Sequence, residues 1–165
     1  MEVTITGTTF VPANRLDVWK ALHDVDVVAA CIPGCRDLKS TSEDAYTLVV
    51  AVRFGPLSLG FNGLIEVASS DPPNSYKLVG YGSLSRAARP WGSTTIRLTE
   101  RGSGCEVHYK IEADLRGPLG LLVKPWFASR FGRSMSAQFV QQFGKQIRRL
   151  VHKAPIGREP MAGVA

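Results

Sequence analysis

The sequence predicts an α+β fold: a curved antiparallel sheet wrapped around one long C-terminal helix, with two short helices after the first strand. Three features predict it. Between Tyr46 and Leu115, apolar residues recur at every second position in runs separated by turn signals, the pattern of an antiparallel meander with one buried face. Between Pro12 and Cys31 the spacing switches to three or four. From Pro125 onward apolar residues return at helical spacing in a segment, 118–153, that holds seven Lys and Arg and no Asp or Glu.

Val3 to Phe10, rich in Val, Ile and Thr, reads as the first strand. Leu16, Trp19, Leu22 and His23 then mark a helix within Pro12–Asp24 that starts near Ala13 or Asn14. A second helix, Asp26 to Cys31, stops before Pro33-Gly34, where Pro cannot continue it and Gly permits a turn. Tyr46, Leu48, Val50, Val52 and Phe54 share one face of the next strand, and Gly55-Pro56 turns the chain. Leu57 to Val67 repeats the alternation up to the Asp71-Pro72-Pro73-Asn74 turn. Tyr76–Leu84, Thr94–Thr99 and Cys105–Leu115 complete the meander. In the last run Val107, Tyr109, Ile111, Ala113 and Leu115 face inward and His108 faces outward.

A one-faced sheet needs a cover. The long helix supplies it, with Pro125 in its first turn. Ala128, Gly132, Met135, Phe139, Phe143 and Leu150 fall on one face, and Arg130, Lys145, Arg148 and His152 nearly opposite. Residues 1–153 form one domain; 154–165, small and rich in Pro and Gly, read as a disordered tail.

The chain has 165 residues, 44% hydrophobic and 21% charged, which is ordinary for one globular domain. It carries 20 basic and 14 acidic residues, so outside 118–153 the count is 13 against 14. The net charge of +6 therefore belongs to the C-terminal helix. No apolar run reaches the ~20 residues that span a bilayer. The N-terminus shows no basic region followed by an apolar one, so a cytoplasmic protein is expected, peripheral at the inner membrane face if the basic helix meets lipid. Three cysteines without a second Cys pair or neighbouring His predict structural thiols and no metal.

Tyr76, Leu78, Gly80, Gly82 and Leu84 share a parity, which puts Gly80 and Gly82 on the buried face beside Gly63 and Ala113. Inward glycines either hold a bend or clear a cavity. Leu48, Val50, Phe54, Phe61, Leu78, Ile96, Tyr109 and Phe139 give that face an apolar lining, and Tyr76, Trp91 and Tyr109 are candidate polar anchors. A solid core is the competing reading, since alternation by itself shows only burial. Trp126 and Phe127 lie off the core face of the helix and either plug the end of the sheet or form an apolar lip, with Lys124 and Arg130 alongside.

No catalytic residue is assigned. Gly117-Pro118-Leu119-Gly120 lacks the strand, Lys and spacing of a phosphate loop, and no Gly-x-Ser-x-Gly elbow occurs. Asp24 and Asp26 sit between two helices, where Asp caps. The inward strand positions supply no acid–base pair. Nucleic-acid binding is not expected, because no aromatic stripe on an exposed sheet accompanies the charge. No cofactor is predicted.

The element order resembles the START-like (SRPBCC) helix-grip fold, and the local words resemble the carbon monoxide dehydrogenase G-subunit family. Those words are Val-Trp-Lys-Ala-Leu-His-Asp at 18–24, Cys-Ile-Pro-Gly-Cys at 31–35, Gly-Pro-Leu at 55–57 and Phe-Asn-Gly at 61–63. Leu-Val-Gly-Tyr-Gly at 78–82 and Arg-Gly-Pro-Leu at 116–119 complete the set. The resemblance covers about residues 1–152. It implies a hydrophobic-ligand pocket between sheet and long helix, with Ile32, Phe54, Phe61, Gly80, Gly82, Trp91, Tyr109, Trp126 and Phe131 as candidates alongside Phe139. It further implies a non-catalytic accessory that links a molybdenum hydroxylase to the membrane through a quinone or lipid. Family members can carry a long Ala/Pro-rich linker and an apolar C-terminal anchor; this chain shows neither, so the expected membrane contact is reversible.

Three functions follow. The first is a ligand-binding accessory protein that binds an apolar lipid or quinone and meets an anionic membrane or a partner through Lys124, Arg130, Lys145 and Arg148. The second is an enzyme of the same fold, a cyclase, dehydratase or hydrolase, which needs an acid–base pair in the pocket. The third is a docking module whose basic helix meets an acidic partner. Monomer and homodimer both remain open.

Overall fold

The structure, a computed structural model, describes residues 2–54, 56–83, 91–114 and 124–162, without the side chains of 52, 54, 57–59, 83, 125, 127 and 151–162. The elements run β1 (Glu2–Val11), α1 (Arg15–Leu22), α2 (Val25–Cys31), β2 (Cys35–Ser42), β3 (Ala45–Phe54) and β4 (Leu57–Asp71). They continue with β5 (Ser75–Ser83), β6 (Trp91–Arg101), β7 (Gly104–Asp114) and the long helix α3 (Pro125–Ala162). The strands form one seven-stranded antiparallel sheet, ordered β1-β7-β6-β5-β4-β3-β2, so the meander is closed at one edge by the first strand. The α+β helix-grip architecture is the one the periodicity predicts.

Both short helices start on side-chain caps. Asn14 Oδ1 accepts from the Asp17 amide at 2.8 Å, and Asp24 Oδ1 accepts from Asp26 and Val27 at 3.0 and 3.3 Å. These bonds satisfy amides that have no partner inside a first turn. Arg15 ties α1 to the sheet by donating to Asn74 Oδ1 at 2.8 Å.

Register turns the inward parity into rows that cross the sheet. Gly7, Tyr109, Ile96 and Tyr76 form one row; Ile5, Ile111, Thr94, Leu78 and Val67 the next; Val3, Ala113, Gly92, Gly80, Ile65 and Tyr46 the third. Gly82, Gly63, Leu48 and Leu38 follow, then Phe61 and Val50. Packing changes along this series. At one end Val11, Leu98, Cys105 and Val107 join Val18, Ala21, Phe143 and Ile147 in a dense core. At the other end the third and fourth rows are made largely of small residues and are only half-buried.

Helix α3 crosses β1 closely: a Cβ on Gly132 would meet Ile5 Cδ1 at 2.5 Å, so a side chain there would require the end of Ile5 to turn aside.

The structure corrects the sequence expectations in four places. Strand β2 was not expected; it is an edge strand whose residues Cys35-Arg36-Asp37-Leu38-Lys39-Ser40-Thr41-Ser42 are mostly polar and exposed and show no apolar alternation. Leu150 is 43% exposed, because the buried stripe of α3 runs through Phe143 and Ile147. Leu150 continues that stripe only by its three-residue spacing. The α3 backbone continues to Ala162, past the boundary read at 153; extending an existing helix adds a hydrogen bond per residue, which composition alone does not register. Trp91, offered as a pocket anchor, lies on the outer face. Its neighbour Gly92 occupies the inner row, and adjacent strand residues point oppositely. The inward assignments of Leu84 and Leu115 fall outside the described residues.

Candidate functional site

The small-residue rows create open space. Among the described residues, a Cβ on Gly80 would meet only the carbonyl oxygens of Leu64 and Gly92, at 3.8 and 3.9 Å. One on Gly63 would first meet Tyr81 O and Leu48 Cβ, at 3.6 and 3.7 Å, and one on Gly92 would first meet Glu112 O at 3.2 Å. No side chain of α3 stands among these neighbours. At the level of a Cβ, and among the described residues, these glycines leave a groove above the sheet.

The groove runs into a pocket. Leu22, His23, Asp24, Val25, Val28 and Ile32 line it from the helices, and Leu38, Tyr46, Ile65, Val67, Tyr76 and Leu78 from β2–β5. Its volume is about 60 Å³, room for roughly four to six waters. That space accepts a ring or the end of a chain but not a whole lipid.

The pocket lining is nearly all aliphatic and aromatic. Trp19 stacks on His23 with centroids 4.3 Å apart and meets Tyr76 edge-on at 5.1 Å. Burial, with Tyr46 nearby as a smaller cause, raises the Tyr76 hydroxyl above the ordinary tyrosine range, so it stays protonated. Asp24 is engaged in capping α2 and does not pair with His23, whose Nδ1 lies 2.7 Å from Trp19 O.

Of the sequence candidates, Ile32 lines the pocket. Gly80, Gly82 and Phe61 lie on the half-buried inner face along the groove. Tyr109 and Phe139 pack against the dense core, with Phe139 stacked on Phe143 at 6.1 Å. They form the closed end of the site. Trp91 joins Tyr81 and Leu64 in an outer-face apolar patch, the three being 37%, 49% and 37% exposed. Trp126 is 63% exposed and Phe131 half-buried. The side chains of Phe54 and Phe127 lie outside those described. Lys124, Arg130, Lys145 and Arg148 are all exposed, as are Arg133 and Arg149.

Sequence reasoning missed His23, Tyr46 and Leu38 as lining residues. The signal available was the parity of Tyr46 with Leu48; nothing local predicted that His23 at the end of α1 would reach the β3–β5 strands.

All three thiols are free. Cys31 and Cys105 are buried and Cys35 half-buried, and burial pushes the Cys31 thiol up to about 11. Below pH 9 this thiol is protonated in both folded and unfolded chains. Between pH 9 and about 11 the unfolded chain ionises it first, so stability falls through that window. The loss attributable to Cys31 is at most about 3 kcal/mol. A Cys31→Ala variant should show a shallower fall in melting temperature from pH 9 to 11 than the wild type; equal slopes would contradict the assignment.

Comparison with known proteins agrees with this geometry. The family model described as the carbon monoxide dehydrogenase G subunit (CoxG) matches residues 7–148. A conserved protein from Geobacillus kaustophilus superposes with a TM-score of 0.79 at 21% identity, over 90% of this chain and 96% of that one. A START superfamily protein from Mycobacterium smegmatis gives 0.68 at 8% identity, over 89% and 98%. The di-domain ARO/CYC protein BexL from the BE-7585A biosynthetic pathway gives 0.59 at 15% identity, over 87% of this chain and 49% of that one. No curated protein sequence matches the chain. At these identities the structural likenesses establish the fold.

Proposed function

We propose, from the premise that this chain belongs to the CoxG family, the G subunit of carbon monoxide dehydrogenase, that it is an accessory protein that binds an apolar small molecule and serves a carbon monoxide dehydrogenase type of molybdenum hydroxylase. The observation that carries the ligand-binding part is the set of inward glycines Gly63, Gly80 and Gly92, in two neighbouring rows, beside an apolar pocket. A core selected only for stability fills such space, since interiors pack to crystal-like density. A lipid tail or a quinone ring with its tail matches the shape: a ring-sized end in the pocket and an extended part over the glycines.

The other half of the proposal is the surface. Lys124, Arg130 and Arg133 stand exposed around the exposed Trp126, with Lys145 and Arg148 farther along the helix. An exposed aromatic among cations suits the interface of an anionic membrane. None of the described helices is long and apolar enough to cross one, so the contact proposed is reversible and electrostatic. Each cation near an anionic surface contributes about 1 kcal/mol. Substituting Lys124, Arg130 and Arg133 together by alanine should then weaken binding to phosphatidylserine-containing liposomes about 100-fold at low salt. Wild-type binding should fall as salt rises. Undiminished binding by the triple variant, or equal binding to neutral liposomes, would overturn the membrane half without touching the ligand half.

Uptake of a decyl-tailed quinol by the delipidated protein tests the ligand half directly, with one molecule per chain as the expected stoichiometry. The enzyme reading would need an acid–base pair at the pocket; Asp24 and His23 both line it but do not bond each other, Asp24 Oδ1 accepting from the α2 amides and His23 Nδ1 lying 2.7 Å from Trp19 O.

A further inference from the structure

His23, on the pocket lining, has a ring nitrogen whose hydrogen-bonding sense the fold determines. His23 Nδ1 lies 2.7 Å from Trp19 O. A carbonyl oxygen only accepts, so Nδ1 carries the hydrogen and donates. In the neutral ring, Nε2 is then left as an acceptor with no donor hydrogen of its own. The ring cannot easily turn to reverse this: it is stacked on Trp19 at 4.3 Å and 29°, and held against Tyr76 at 4.7 Å. Among the described residues Nε2 has no hydrogen-bond partner. Tyr46 and Tyr76 also line the pocket, but a hydroxyl both gives and accepts and so does not discriminate. Asp24 Oδ1 is occupied by the α2 amides.

We propose that His23 is the specificity-determining residue of this pocket, and that the pocket takes a hydroxylated aromatic ring, a phenol or hydroquinone, whose O–H donates to His23 Nε2. This rests on the ligand-binding reading above and narrows it. The aliphatic walls, Val28, Ile32, Ile65 and Leu78 among them, fit the ring's faces, and about 60 Å³ fits a ring better than a chain. A ring with only carbonyl or ether oxygens has no hydrogen to offer Nε2 and would cover that acceptor without pairing it. For a quinone-type ligand the pocket therefore selects the reduced, hydroxyl-bearing form.

The test is isothermal titration of delipidated protein with 4-butylphenol and with its methyl ether, 4-butylanisole. The wild type should bind the phenol about tenfold more tightly, the worth of one hydrogen bond. His23→Phe, which keeps an aromatic ring beside Trp19, should bind both compounds alike. The ¹⁵N shift of His23 Nε2 in wild-type protein should move with the phenol and not with the ether, which reads the bond even where a variant folds poorly. Equal affinities in the wild type, or an unmoved Nε2 shift with bound phenol, would overturn the assignment to His23 and leave the apolar pocket standing. Failure of both compounds to bind would overturn the ligand-binding reading itself, and this inference with it.

Discussion

Gly34→Ala is expected to destabilise the protein by about 3 kcal/mol, enough to lower the melting temperature of a chain this size by roughly 6–12 °C. Two independent costs add. Gly34 has φ +76°, where a side chain costs about 1–2 kcal/mol. A Cβ there would also collide with the backbone carbonyl oxygen of Ala51. That oxygen cannot swing aside, because Gly34 O accepts from the Ala51 amide at 2.9 Å and the two segments are already joined. Overpacking of this kind adds about 1–3 kcal/mol. Gly102 provides the control: it has φ +59° but nothing within 4 Å of a Cβ. Gly102→Ala should therefore cost only the conformational part, about 1 kcal/mol. Equal losses in the two variants by chemical denaturation would show that the contact with Ala51 contributes nothing. The site depends on this turn, since Gly34 connects α2, which lines one wall of the pocket, to β2, which lines another.

Gly80→Leu is expected to abolish ligand uptake, a loss of at least about 100-fold in affinity, while leaving stability unchanged or slightly improved. Among the described residues a Cβ at Gly80 meets only carbonyl oxygens within 4 Å, at 3.8 and 3.9 Å, so the fold accommodates that atom without displacement. A residue with a side chain also suits a strand interior better than glycine does. The leucine then occupies the groove that the ligand needs. Gly60, on the same sheet but at the opposite parity to Phe61, likewise has nothing within 4 Å of a Cβ. Gly60→Leu should give the same strand preference with no effect on uptake. A Gly80→Leu protein that melts as the wild type does yet still binds the quinol would show that the ligand does not lie along the glycine rows.

These two glycines show what was legible in the sequence and what was not. Gly80 could be placed from parity alone, because Tyr76, Leu78 and Gly80 are two residues apart and the strand period is two. The sheet, the long helix and the inward glycines followed from the same periodicity. Whether the glycines bent the sheet or cleared a groove was undecidable, since that depends on what stands across from them. Trp91 was misplaced because aromatic character was weighed above its position beside Gly92; parity would have sent it outward. Strand β2 was invisible because an edge strand with a polar surface carries no alternation to read. Leu150 matched the core stripe by spacing but lies beyond the point where the sheet and short helices cover α3. His23 was hidden for the same reason as Ala51 beside Gly34: a contact between distant segments leaves no trace in either one. Local pattern determines which face a residue takes; its neighbours on that face come from register and packing.

The central claim is that an apolar molecule occupies the groove between the glycine rows and the helices. Native mass spectrometry of the protein incubated with an equimolar decyl-tailed hydroquinone tests it most directly. The account predicts a dominant species heavier by one ligand for the wild type and for Gly60→Leu, and the bare chain alone for Gly80→Leu. The bare chain alone in all three, or the same ligand-bound species in all three, would contradict it.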